Sequence, residues 1–128
     1  ILLQGERKYD GGITDPIPAQ KAYEMGAREI VIIRTYEKAF IRKTKLENHI
    51  AAFATRSYPN ISKALKTNTA TYNSALEFIN NPPVDCKITQ ICPPTRLATK
   101  RATTNINIMK ADYQVGITCA ENFLKDYI

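Results

Sequence analysis

The sequence predicts an α/β fold with a mainly parallel sheet. Three observations predict it. Ile30-Val31-Ile32-Ile33 is an unbroken β-branched run, the pattern of a parallel strand buried on both faces. Apolar residues recur at helical spacing from Leu46 to Ile79 and again from Met109 to Leu124. Short strand-like segments alternate with these helical stretches, which is the order of an α/β chain.

Taken in order, Ile1–Gln4 reads as a short apolar strand. Gly5 to Gly12 holds three glycines and several charges, so it is a loop or strand end. Asp15-Pro16 predicts a helix start, with Asp capping free amides and Pro at the first helical position. That helix runs for about ten residues, with Ile17, Ala22 and Met25 on one face, and Gly26 stops it. With the strand at Ile30–Ile33, the segment forms a βαβ unit. Leu46, Ile50 and Phe53 then mark a helix at i, i+4, i+7, broken near Ser57-Tyr58-Pro59. Ile61, Leu65, Tyr72, Leu76 and Ile79 mark a long helix closed by Asn80-Asn81-Pro82-Pro83, with Asn68 and Thr69 interrupting its stripe. Lys87–Cys92 reads as a strand ended by Pro93-Pro94, and residues 95–107 as a polar surface loop. Met109 to Tyr127 is a last helix, with Met109, Tyr113, Ala120 and Leu124 on one stripe. Three strands make a thin sheet, so further strands are expected upstream. Ile1-Leu2-Leu3 has no Met before it and reads as an interior strand, so the chain is expected to be an excised part of a longer protein.

Composition bounds the function. The 128 residues are 44% hydrophobic, enough for a core and unlike a disordered tail. No apolar run approaches the roughly 18–20 residues of a membrane span, and the opening residues do not read as a signal peptide, lacking a basic start and a long apolar run. Cys86, Cys92 and Cys119 form no disulfide framework or zinc pattern, and His49 is the only histidine, so no metal site is expected. The cysteines are read as reduced, mostly buried thiols of a cytoplasmic protein. The net charge is +6. Its densest stretch is Arg34, Lys38, Arg42, Lys43 and Lys45, which is either a plain solvated surface or a contact for an anionic lipid surface. No nucleic-acid motif accompanies it, and nucleic acid is not expected as a partner.

The segment with the most chemical content is Tyr9-Asp10-Gly11-Gly12-Ile13-Thr14-Asp15-Pro16-Ile17-Pro18. An Asp just beyond a strand, followed by two glycines, presents a carboxylate on a tight turn where ligands of open α/β sheets gather. Asp-Gly-Gly is also ordinary turn chemistry, and Asp15 is explained by a helix cap. Gly5 to Arg34 resembles the C-terminal catalytic segment of the patatin-like phospholipases. The matching features are Tyr9-Asp10-Gly11-Gly12, Asp15-Pro16-Ile17-Pro18, Met25-Gly26-Ala27 and the strand Ile30 to Ile33. Tyr58-Pro59, Tyr72-Asn73 and the spacing of Tyr113, Gly116 and Ala120 resemble that family's bacterial branch.

The resemblance implies a three-layer α/β/α sandwich and a Ser-Asp dyad that hydrolyses a lipid acyl ester with no cofactor. On it, residues 1–94 are the C-terminal part of the catalytic domain, and 95–128 the polar loop and last helix of the same unit. Asp10 is the base, with Gly11 and Gly12 as its turn. The serine elbow and the oxyanion loop lie outside the chain, because Ser57, Ser62 and Ser74 lack flanking glycines. The expected partners are an acyl-lipid substrate, the upstream part of the same polypeptide, a peripheral membrane surface and a second copy. The chain alone is expected to be inactive. The competing reading is a non-catalytic basic module that binds nucleic acid or an anionic membrane.

Overall fold

Pro18 and Pro59 stand at the starts of two helices, and Gly26 follows the end of one. The structure, a computed structural model, describes residues 2–3, 6–7, 10–44 and 46–127. Tyr9 and Lys45 lie outside the described residues, as do Ile1 and Gln4 of the expected first strand. The chain divides into two compact units, residues 1–28 with 41–86, and residues 29–40 with 87–128.

In the first unit, β1 (Leu2–Leu3) pairs antiparallel with β2 (Glu6–Arg7). The expected βαβ unit is therefore corrected: β1 belongs to a two-stranded ribbon of its own, not to the sheet of Ile30–Ile33. A 3-10 turn follows at Gly11–Ile13, and α1 spans Ala19–Glu24. This helix is shorter than expected. The Asp15 amide donates to the Gly11 carbonyl at 2.9 Å and so belongs to the turn before it. Asp15-Pro16 is thus not the helix start, and Pro18 occupies the N-cap. Gly26, at φ 104°, ends the segment in the left-handed conformation that Gly adopts without strain.

Helix α2 (Leu46–Ala54) and helix α3 (Pro59–Asn80) are separated by the break read at Ser57-Tyr58-Pro59, with Pro in the first turn of α3. Helix α3 is continuous through Asn68 and Thr69, the polar residues that interrupt its apolar stripe, and Thr69 is buried there. Its buried positions are Ser62, Thr69, Tyr72, Leu76 and Ile79, at helical spacing. Burying each large apolar side chain stabilises by roughly 1.5–3 kcal/mol. Ala52 has no exposure, and the Ser62 hydroxyl donates to its carbonyl at 2.8 Å, so α2 and α3 pack closely there. Asn73 exchanges two bonds with the Arg42 backbone, at 3.0 and 2.9 Å, as a neighbouring strand would. Tyr23 of α1 donates to Asp85 at 2.9 Å; that bond is the main reason its phenol titrates above the usual value.

In the second unit, β3 (Glu29–Ile33) and β4 (Lys87–Ile91) pair in parallel, Glu29 opposite Lys87 and Ile33 opposite Ile91. Helix α4 (Ile106–Tyr127) packs on β4. The architecture is mixed α and β with a two-stranded parallel sheet. One expectation about β3 is corrected. Ile30 and Ile32 are buried, but Val31 is 44% and Ile33 79% exposed, so the strand is covered on one face only. The stripe read on α4 is not its covered face, because Met109, Tyr113 and Leu124 are exposed. Val115, Cys119 and Phe123 line a cleft against β4 instead.

Asp112 of α4 ties down the loop before the helix by accepting from the amides of Ala98 at 3.3 Å and Thr99 at 2.6 Å. Bonds from Thr99, side chain first and then amide, hold its carboxyl below the usual carboxylate value. A carboxylate depressed on folding contributes stability above its unfolded value, about 3.9, and loses it as pH falls through the lower folded one. The Thr99 amide resonance is therefore expected to titrate with an inflection below pH ~3.9, and Asp112→Asn to abolish that inflection. An inflection at or above the ordinary value would contradict the tether.

Candidate functional site

Asp10 is extended, at φ −62° and ψ 128°, and leads directly into the 3-10 turn. Its Oδ1 accepts from the Gly12 amide at 2.8 Å. Ile13 N donates to the Asp10 carbonyl at 3.1 Å, and Thr14 N and Oγ1 donate to the Gly11 carbonyl, each at 3.0 Å. Neither Gly11 nor Gly12 adopts positive φ, so conformational freedom is not what the pair supplies. Space is the reason at Gly12: a Cβ there would lie 3.3 Å from Asp10 Oδ1, crowding the carboxylate against its own turn.

The turn is held from outside by Asn68 of α3. Its Nδ2 donates to the Gly12 and Ile13 carbonyls, both at 2.9 Å, and its Oδ1 accepts from Arg42 Nη1 at 2.6 Å. Arg42 is fixed in turn, its guanidinium 3.9 Å above the Tyr72 ring. Sequence reasoning missed Asn68, reading it as a polar lapse in an apolar stripe. The useful signal was an amide on a helix whose neighbours at helical spacing are core residues. The result is an exposed carboxylate with one oxygen fixed, on a backbone latched to a long helix.

The basic stretch does not form a single solvated cluster. Arg34 is 7% exposed and donates to the Lys38 carbonyl at 3.2 Å, the Gln90 side chain at 2.9 Å and the Phe40 carbonyl at 3.4 Å. It closes the loop after β3 and is not placed to meet a lipid surface. Arg42 is half-buried against the Tyr72 ring and Asn68. Lys38 and Lys43 are exposed, and they belong to different units. Asp15 is exposed at the end of the Asp10 turn. Of the three serines, Ser57 and Ser74 are exposed and Ser62 is buried on Ala52.

A cleft of about 670 Å³ lies between β4 and α4, with Thr89, Ile91 and Cys92 on the strand side. The Cys119 thiol donates to the Cys92 carbonyl at 3.4 Å, and burial pushes the Cys92 thiol above its ordinary value. Both cysteines and Cys86 are free thiols. No pattern in the sequence pointed to this cleft. Among the described residues no three His, Cys, Asp or Glu side chains are grouped as metal ligands, and no helix is long and apolar enough to cross a membrane.

A family model described as a domain of unknown function, DUF6363, matches residues 58–128, more than half of the chain. The chain is 28% identical over 130 residues to the uncharacterized protein YjjU of Escherichia coli (strain K12), covering 97% of this chain and 35% of that protein. The chain thus spans about a third of the length of this relative. No solved structure matches. These findings overturn the resemblance to the patatin-like phospholipases: the family that matches is another one, and the relative bears no such name.

Proposed function

The chain belongs to the DUF6363 family, whose description assigns no activity, and we propose from the Asp10 turn that it supplies the general base of an acyl-ester hydrolase. The observation that carries the proposal is the latched carboxylate: Oδ1 is held by the Gly12 amide, and the turn is held by Asn68. Among the described residues only Oδ1 is engaged, which leaves Oδ2 as the proton acceptor. A base has to be fixed in position and reachable by the group it deprotonates.

The nucleophile in this reading is a serine elsewhere in a longer, cytoplasmic polypeptide, which also extends the parallel pair β3–β4 into a wider sheet. The serine Oγ attacks the acyl carbonyl as its proton passes to Asp10 Oδ2. The tetrahedral intermediate collapses, the alcohol leaves with that proton, and an acyl-serine remains. Water, deprotonated by the same carboxylate, then attacks the acyl-serine; the acyl–Oγ bond breaks, the serine leaves with that proton and the fatty acid is released. The substrate class is a lipid acyl ester, and the chemistry needs no metal or organic cofactor.

The 128-residue chain alone is therefore expected to show no turnover of a p-nitrophenyl acyl ester above buffer, while the longer polypeptide hydrolyses it. Turnover by the chain alone would mean that the nucleophile lies within it and would overturn the assignment.

A further inference from the structure

Helix α2 carries its apolar stripe on the outside. Leu46 is 75%, Ile50 61% and Phe53 67% exposed. At 3.6 residues per turn these three fall within about 60° of arc. On the roughly opposite side Ala52 is fully buried, Asn48 donates to the Thr69 hydroxyl at 3.4 Å, and Thr55 is half-buried. The helix therefore meets α3 through small and polar residues and presents its large apolar side chains to solvent.

Among the described residues of 41–76, four cations are exposed, Lys43, Arg56, Lys63 and Lys66. The sequence of that stretch holds a single acid, Glu47. Arg56 joins the two features directly, its guanidinium 4.7 Å from the Phe53 ring centroid.

We propose that α2 is a docking surface for an anionic lipid bilayer, with Leu46, Ile50 and Phe53 entering the interface and Arg56 meeting the headgroups. An exposed apolar stripe flanked by cations is the pattern of a helix lying in the plane of a membrane surface. A nucleic acid offers phosphates but no apolar phase for the three side chains. A two-fold contact between copies would set this basic surface against itself, and like charges oppose that. Among the described residues the surface shares only Lys43 with the Arg34–Lys45 stretch read from the sequence, whose two arginines are turned inward. The proposal does not depend on the hydrolase reading, because docking requires no turnover.

The test is co-sedimentation of the chain with vesicles of phosphatidylcholine alone or with about a third phosphatidylglycerol. Binding is expected only to the anionic vesicles and is expected to weaken with salt. Ile50→Ser with Phe53→Ser is expected to lower the partition coefficient by at least about tenfold, and Arg56→Gln by about fivefold. Circular dichroism and the melting temperature are expected to be unchanged, since all three apolar side chains are exposed. Equal binding to neutral vesicles, or equal binding by the double variant, overturns the proposal. So does a dimer that the double variant dissociates while vesicles are ignored, which would make α2 a contact between copies. Salt-dependent DNA binding without vesicle binding has the same consequence. If the chain binds vesicles and the longer polypeptide does not, the stripe is covered by the rest of that polypeptide, and the proposal fails there too.

Discussion

Asp10→Asn is expected to lower kcat/KM of the longer polypeptide toward an acyl ester by about 10²–10⁴-fold, the range that a positioned general base contributes. The substitution isolates the proton acceptor. An asparagine amide oxygen can take the Gly12 bond that Oδ1 takes now, so the 3-10 turn keeps its geometry. The Asn68 bonds to Gly12 and Ile13 are untouched, and Asp10 is exposed, so stability should change by less than about 0.5 kcal/mol. Asp15→Asn is the matched control: that carboxylate is also exposed, five residues on, and removing it should leave the rate unchanged. Comparable activity in wild type and Asp10→Asn would reduce the Asp10 turn to the capping role its Gly12 bond already serves. Equal losses in both variants would point to the local negative charge and not to a base.

The sequence was most legible where pattern alone decides an element. The β-branched run at Ile30–Ile33 and the alternation at Lys87–Ile91 are strands, and the spacing from Ile61 to Ile79 is a helix. What periodicity does not carry is the side from which water is excluded. Leu46, Ile50 and Phe53 have the period of a core face, but Ala52 and Asn48 make the contact with α3, because small residues let two helices approach. β3 has the composition of a doubly covered strand, yet only Ile30 and Ile32 are covered. Local chemistry misled at Asp15-Pro16, where a competing bond to Gly11 had already taken the Asp15 amide. The Asp10 turn was visible as three consecutive letters. Its latch was not, because Asn68 lies more than fifty positions away and bonds through an amide that leaves no local signature.

Arg34 was the most consequential misreading, and replacing it should have the largest effect on stability. A cation in a basic run reads as solvated because its partners cannot be seen from its neighbours. Here they are Gln90, on the other strand, and the carbonyls of Lys38 and Phe40, in the loop that leaves β3. The bonds come from two nitrogens of one guanidinium, and that fork geometry is what selects Arg over Lys. Hydrogen bonds from a charged donor contribute about 1.5–3 kcal/mol each, and the 3.4 Å contact to Phe40 less than the other two. Loss of the side chain also unpins the loop. Arg34→Ala is therefore expected to cost about 2–4 kcal/mol, read as a lower urea midpoint at unchanged slope. Arg34→Lys should recover less than half of that, because a single ammonium cannot span the same acceptors. A midpoint within error of wild type would show that Arg34 is not needed to hold the loop on the sheet. Binding to anionic vesicles should be the same in Arg34→Ala as in wild type wherever the variant remains folded, because a guanidinium that is 7% exposed has little to offer a headgroup. A marked loss of vesicle binding at that position, with the fold intact, would return the lipid contact to the Arg34–Lys45 stretch and take it away from α2.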